Sequence, residues 1–547
     1  MKNNKIKELE NHILKTICLV CLCILVGCKS NKQTEVPDPN PKDSEVEFLC
    51  SAPYEQTDYS IYPLSSDAVR VGDLMPYFDS ESNSFNIYYL KDIWNDPFNQ
   101  RHPWYCLKTD DFINYSTLSV GEVLSCSTNP CAQDYALGTG SIIKKASSYF
   151  AFYTGHNPNS PSSCISTKEG VMLATTSSLG SAFLKNTSFN TIYAPDGYDK
   201  SDNFRDPYVY YDSVTSKYYL ILSARKQVNG IWKGVIPYYT STDLVKWEYQ
   251  GVLYDGGTSN FFMMETPEIF KMGNYFYLLF SDYDSKNVFY RKSTSITGEW
   301  SEPTTVGRFE GNGIYAAKTA ANEKGERYIF GWTYVQEGNS DNGKKLFGGN
   351  LVTHRIYAKQ NGDLAVAIPP TLKSYLETAT QKVKKVAQRG NVIETSPDVH
   401  SYKLGSAGGV NFSSVVFEPI NLPRFKINTK VAFTSASKDF GFMIGACNDF
   451  NDFYSLRFIP ADNKLRLDKV SRSNINNSTS GFAEVPLVLK PNTNYDVQIV
   501  IENSMLVIYV NDEVALSTRV YKATNTNWGI FTDNSEAIFD NIVVSKQ

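Results

Sequence analysis

Histidine is scarce in this 547-residue chain: there are five, and His12 lies in the N-terminal leader. The other four show no paired spacing of the kind that holds a metal, and no Cys-x-x-Cys pair occurs outside the leader. A zinc centre or a histidine-based triad is therefore not expected, and no metal or cofactor is implied. Basic tracts are missing too. The net charge is -4, which argues against nucleic acid as a partner. The only long apolar run, Ile17 to Val26, is too short to span a bilayer. What remains available for chemistry is carboxylate.

The run Ile17 to Val26 follows a Lys-bearing start and ends at Leu25-Val26-Gly27-Cys28. It reads as a signal peptide with a bacterial lipobox, in which Cys28 becomes the lipidated first residue. The plainer reading is a signal peptide with a chance cysteine. Lys29 to Val46 is polar and Pro-containing and reads as a tether. The expected location is the bacterial cell envelope, with membrane contact only through Cys28. Six further cysteines follow: Cys50, Cys106, Cys126, Cys131, Cys164 and Cys447. Two readings stand side by side. Either Cys126 and Cys131 close the short loop Ser127-Thr128-Asn129-Pro130, or the thiols are free.

Aromatics make up 14% of the chain, with 36 Tyr and 31 Phe, beside 34 Gly and 24 Pro. That composition suits strands and turns, and the length calls for two domains. Five aromatic strands recur: Ser84 to Tyr89, Tyr149 to Tyr153, Tyr218 to Leu222, Tyr275 to Phe280 and Tyr328 to Trp332. Their starts lie roughly 50–70 residues apart, a repeat period. A second element repeats as well: Lys108 to Tyr115 resembles Thr240 to Trp247.

About a dozen residues before three of these strands stands an acid: Asp73, Asp206 and Glu265. In a β-propeller, equivalent strands surround one channel. Residues at one offset in different blades then share a height and a radius. If the acids lie on innermost strands, they meet at the axis. At the same offset blade two carries Gly138-Thr139-Gly140-Ser141, whose small residues would leave room for a ligand. Blade five carries Tyr315 instead of an acid there.

Arg205-Asp206-Pro207, followed by Glu265-Thr266-Pro267-Glu268, resembles the Arg-Asp-Pro and Glu-Cys-Pro-Asp motifs of glycoside hydrolase family 32, the invertases, inulinases and levanases. Gly331-Trp332-Thr333 fits the last blade of that family. Leu506 to Glu513 and Ser517 to Tyr521 are similar to its appended β-sandwich. Family 43 shares Arg-Asp-Pro. The nucleophile motif Trp-Met-Asn-Asp-Pro-Asn-Gly is not present as such. Asn95-Asp96-Pro97-Phe98-Asn99 mimics its letters but follows the first aromatic strand, whereas Asp73 precedes it. Asp73 is the preferred candidate.

The resemblance implies an all-β chain: a five-bladed propeller over 47–370, a connector over 371–390 and a β-sandwich over 391–547, after the leader (1–28) and tether (29–46). It implies a retaining β-fructosidase acting on fructans or sucrose-type oligosaccharides. Asp73 would attack the anomeric carbon, Glu265 would serve as acid and then base, and Asp206 would stabilise the oxocarbenium-like transition state. Arg205 would hold Asp206 ionised or contact substrate. Trp104, Tyr135, His156, Glu268, Tyr315 and Trp332 are further candidates for substrate contact. Two alternatives are a surface glycan-binding lipoprotein without activity and an inverting, family-43-like arabinan or xylan hydrolase.

Overall fold

The computed structural model describes residues 59–547 apart from 65–68, 92–100, 304–307, 406–410, 448–451, 470, 473–474, 476–480 and 522–524. The leader, Cys28, the tether, Cys50, Trp94 and Asn95 to Asn99 lie outside the described residues, as does the side chain of Cys447.

The aromatic strands are buried on both faces, and this explains why they read as unbroken apolar runs. In Lys217–Val228, Tyr218, Leu220 and Leu222 point into one core, with Phe152 and Leu173. Tyr219 and Ile221 point into another, with Ile269 and Leu278. Strand alternation thus sends successive side chains to two neighbouring sheets. The same division holds for Ser84–Lys91, Ser148–His156, Tyr275–Asp282 and Arg327–Gln336. Each is the second strand of a blade. The blades are therefore wedges separated by cores of aromatic and branched side chains.

The first strands of the five blades are Val71–Asp79, Ala136–Lys145, Phe204–Asp212, Met264–Met272 and Tyr315–Ala321. Each touches the next, and the fifth touches the first, so they ring a central axis. Blades one and five are joined in a single sheet through the pairing of Val71 with Gly349. The repeated loop element also has one structure in blades one and three. Asp111 accepts the N–H groups of Ile113 and Asn114, and Asp243 those of Val245 and Lys246. Phe112 and Leu244 are then buried with φ of 63° and 71°.

The first strand of every blade slips register against the second at one height. The slips fall at Gly72-Asp73, Gly138-Thr139, Asp206-Pro207, Thr266-Pro267 and Ala316-Ala317. These are β-bulges, which re-aim side chains and are common beside active sites. Three of them place a non-glycine residue at positive φ: Asp206 (63°), Thr266 (48°) and Ala316 (49°).

Helix Pro370–Leu376 leads into a sandwich whose longest strands, Arg424–Cys447 and Asn527–Lys546, run through both layers. Strand Met505–Val510 is fully buried for a reason like that of the blade strands. Leu506 and Ile508 enter the sandwich core, while Met505, Val507 and Tyr509 pack with propeller residues such as Phe309 and Val352. The seam also has a polar centre. His354 Nε2 lies 2.8 Å from Glu310 Oε2, its Nδ1 lies 2.8 Å from Tyr509 Oη, and Ser517 donates its backbone N–H to Glu310. Near the start of the described residues, the N–H groups of Ser60, Ile61 and Tyr62 donate to buried Glu502, which Arg424 also holds.

The cysteine expectation is corrected. Cys131 bonds Cys164, 33 residues away, while Cys126 is a free thiol that donates to Arg101 O. Cys106 is free and buried. Loop proximity in sequence gave the wrong partner because the turn after the second strand of blade two returns Cys164 to Cys131.

The seam yields a test. A Cβ on Gly313 would lie 1.4 Å from the carbonyl oxygen of Ser517 in the sandwich. Backbone cannot yield as a flexible side chain does, so Gly313→Ala should destabilise by at least about 1–3 kcal/mol. The expected reading is a lower calorimetric Tm; an unchanged Tm would show that the seam is loose.

Candidate active site

The bulges gather the three acids. Asp73, in the bulge of blade one, accepts from Thr139 Oγ1 at 2.8 Å and from the indole N–H of Trp332 at 3.1 Å. Its two oxygens are thus fixed by blades two and five. Asp206 is buried in the bulge of blade three and accepts the backbone N–H of Thr266, the residue after Glu265, at 2.9 Å. Its own N–H donates to Thr154 Oγ1 at 2.8 Å. Glu265, just before the bulge of blade four, accepts from Arg205 Nη2 at 2.5 Å and from the Tyr315 hydroxyl. Tyr315 in turn packs edge-on against Trp332 at 5.6 Å. Five blades therefore contribute to one hydrogen-bonded group.

The charges of the acids reach one another. Burial, then the neighbouring charge of Glu265, pushes Asp73 up to about 6, while Thr139, Trp332 and Lys318 pull it back. Burial likewise raises Asp206 to about 7; Arg205 opposes this, and Glu265 and Asp73 reinforce it. Burial and the Glu265 charge push the Tyr315 phenol well up, so it remains a donor.

Two charged residues that the sequence did not single out complete the group. Lys318, on the first strand of blade five, is buried and donates to Gly140 O at 2.7 Å. Burial lowers it to about 8, against the pull of Asp206, Glu268 and Asp73. Glu169, buried in blade two, accepts the N–H of Phe204 at 2.8 Å and Arg205 Nη1 at 3.3 Å, with His156 Nδ1 at 3.4 Å. Burial opposes its charge, but Arg205 and His156 hold its carboxyl down at about 2. Arg205 is thereby stretched between Glu169 and Glu265. Its ion-pair partners among the described residues are these two glutamates, while its charge also favours the ionised form of the adjacent Asp206, as expected from sequence. His156, Glu169 and Asp202 lie within reach of one another as a metal site would require. Arg205 and Lys168 already pair with its carboxylates, at 3.3 and 2.8 Å.

The other candidates divide. Tyr315 and Trp332 belong to the site, but Trp332 is 1% exposed and acts through Asp73 rather than as a sugar platform. Trp104 is fully buried, with its indole N–H on Gly138 O at 3.0 Å; it is a core residue. Glu268 is also fully buried, accepting from Thr319 N and Oγ1 at 2.6 Å, with Arg327 at 3.8 Å. Its carboxylate is taken up by these partners on blade five. Tyr135 is partly exposed under the Arg101 guanidinium, 4.4 Å from the ring. His156 is partly exposed and touches Glu169. The glycines of blade two leave no cavity: a Cβ on Gly140 would meet Phe152 O at 2.0 Å and Trp104 at 2.9 Å.

Residues 78–364 match the family described as glycosyl hydrolases family 32, N-terminal domain, and residues 362–544 match the GH32, BT1760-like, C-terminal domain. The chain is similar to a sucrose-6-phosphate hydrolase of Staphylococcus xylosus, 25% identical over 51% of this chain and 56% of that protein. It is also similar to a raffinose invertase of Escherichia coli, 24% identical over 61% of this chain and 65% of that one. The match thus spans little more than half to about two-thirds of these relatives. Among solved structures, fructan 1-exohydrolase IIa from Cichorium intybus aligns with a TM-score of 0.66 over 90% of this chain and 98% of that chain, at 13% identity. A Bombyx mori GH32 beta-fructofuranosidase aligns at 0.61, over 89% and 93%, at 17% identity. These structural likenesses are likenesses of fold.

The raised acid at Asp206 has a consequence for stability. Between its ordinary value near 3.8 and its folded value of about 7, the folded chain holds a proton that the unfolded chain has released. Its stabilising contribution is therefore lost as pH rises through about 7. Asp206→Asn keeps an acceptor for Thr266 and removes the buried charge. It should raise Tm at pH 8, by about 2–4 °C for each kcal/mol relieved, with the gain shrinking toward pH 4. A Tm gain independent of pH would contradict this.

Proposed function

The chain belongs to glycosyl hydrolase family 32, and from that premise we propose that it is a β-fructosidase that cleaves fructofuranosyl linkages with retention. The observation that carries the reading is the convergence of Asp73, Asp206 and Glu265 from three blades into one hydrogen-bonded group. Asp73 is the nucleophile. Thr139 and Trp332 fix its two oxygens, so attack on the anomeric carbon needs little reorientation. Glu265 protonates the leaving oxygen and then activates water. Asp206, held by the N–H of Thr266, accepts from fructosyl hydroxyls and favours the cationic transition state. Arg205 and Tyr315 donate to Glu265 and fix its rotamer while substrate binds and leaves.

The reading extends to location. The leader and Leu25-Val26-Gly27-Cys28 support lipid attachment at Cys28 and work at the cell envelope on sugar from outside. Cys28→Ala should move the protein from the membrane to the soluble fraction.

The decisive experiment is hydrolysis of sucrose, inulin and levan, with arabinan and xylan beside them. Glu265→Gln should lose about 10²–10⁴-fold in kcat, and Asp73→Asn at least as much, with both proteins folded. In aqueous methanol the wild type should release methyl β-fructofuranoside, as a covalent intermediate requires. Because attack needs Asp73 ionised and its carboxyl sits at about 6, while Asp206 must be charged to favour the cationic transition state and sits at about 7, kcat/KM should begin to fall below pH 7 and fall more steeply below pH 6. Normal turnover by Asp73→Asn would remove it as nucleophile and leave Asp96 next. Cleavage of pentosans alone would favour the inverting alternative.

A further inference from the structure

One feature of the mouth has no part in the chemistry above. In blade three the hairpin formed by Lys217–Val228 and Ile231–Ser241 overshoots its first strand. Phe204, where that strand begins, pairs with Ala224, yet the hairpin continues to Val228 and Ile231. The overshoot lies at the end of the blade that carries Arg205 and Asp206. At its tip Ile231 is 63% and Trp232 41% exposed. Two large apolar side chains thus stand in water side by side on a projecting hairpin, and a contiguous exposed apolar surface is a place where ligands bind.

The tip connects to the acids through a series of contacts that starts where Arg225 Nη2 donates to the Trp232 carbonyl oxygen at 3.4 Å. Arg225 pairs with Gly234, and Gln227 with Trp232, so Arg225 and Trp232 share one face of the hairpin. On that face blade four lies flat. A Cβ on Gly234 would meet Met263 Cα at 2.9 Å, which is why glycine stands there. Beside this contact the Arg225 guanidinium covers the Phe262 ring at 4.0 Å. Phe262 stacks at a tilt on Tyr283, 5.2 Å away, and Tyr283 is 41% exposed. Lys286 bridges Tyr283 at 4.1 Å and Tyr315 at 4.8 Å. Tyr315 donates to Glu265. The row Trp232, Arg225, Phe262, Tyr283, Lys286 thus runs outward from the acid that would protonate the leaving group.

We propose that this row is an extended binding ridge for the carbohydrate chain on the leaving-group side of the scissile bond, so that the substrate is an oligomeric or polymeric fructan rather than a disaccharide. The proposal rests on the β-fructosidase reading and goes further by naming the substrate's length. The chemistry fits an uncharged polyol. Partly exposed aromatic surfaces accept the C–H faces of sugar rings, and flanking guanidinium and ammonium groups donate to hydroxyls. Trp, Tyr and Arg are also the residues that dominate binding sites energetically.

The full-length protein and its variants Trp232→Ala and Tyr283→Ala are assayed on sucrose, sucrose 6-phosphate, inulin and levan. Both variants should lose at least tenfold in kcat/KM on a polymeric fructan, mostly through KM, and the loss should exceed that on sucrose at least fivefold. Equal losses on sucrose and polymer, or no loss on either, would overturn the ridge while leaving the β-fructosidase reading intact. A preference for sucrose 6-phosphate over sucrose that disappears in Arg225→Met or Lys286→Met would also overturn it. The failure of the β-fructosidase reading looks different: the wild type then cleaves none of the four. The ridge is therefore also tested by calorimetric titration of inulin and levan oligomers into Glu265→Gln with and without Trp232→Ala. At least a tenfold weakening by the second change supports the ridge, and unchanged affinity overturns it.

Discussion

The geometry of this molecule depends on a slip of register repeated at one height in five first strands. A regular strand sends successive side chains to opposite faces of its sheet, toward the cores between blades. It has no position from which a carboxylate can face along the axis. A bulge supplies one by adding a residue and turning the backbone locally. Asp73 and Asp206 sit in bulges and Glu265 immediately before one. Positive φ at Asp206, Thr266 and Ala316 is tolerated because each turn is held from a neighbouring blade or by its own sheet. Thr154 takes the N–H of Asp206, and Asp206 takes the N–H of Thr266. The backbone strain and the acid placement are thus one feature.

That arrangement concentrates negative charge in a place with little water, and the surroundings show how it is borne. Arg205 is tied at both ends, to Glu169 behind and to Glu265 in front. Moving it away from either glutamate breaks a largely buried ion pair, which is unfavourable. Lys318 instead touches a carbonyl and acts on the acids at longer range. One cation fixes a geometry, while the other moderates a field. Asp73 and Asp206 nevertheless remain raised, because their burial outweighs the pull of the two cations.

Much of this was legible in the chain because a propeller writes its period into the sequence. The five aromatic strands and the Asp111 and Asp243 turns recur, and the acids share an offset. What could not be read depends on partners distant in sequence. Glu169 lies on a third strand and belongs to no repeated motif, and Lys318 stands in a small-residue strand that gives no sign of its target. Trp104 and Trp332 read as candidates for substrate contact because an aromatic in a strand with two buried faces carries no mark of which core it fills. The cysteine pairing failed likewise: Cys131 and Cys126 are close in number, but blade two folds Cys164 back to the same loop. The bulges left a trace in Pro207 and Pro267, since proline suits positions that have left the ladder, but Thr139 and Ala316 left none.

The contrast between mouth and floor follows from the same construction. At the floor, Lys318, Glu268 and Arg327 are enclosed by strands from several blades, and changes there must respect the packing around them. At the mouth, side chains belong to loops and to one hairpin that overshoots its sheet, and they rest on each other instead of on a core. Substitutions at the mouth therefore have little effect on the wedges below, whereas those at the floor disturb them. A ring of five blades keeps the buried acids apart from the exposed loops, because the ring closes through its inner strands and not through its loops.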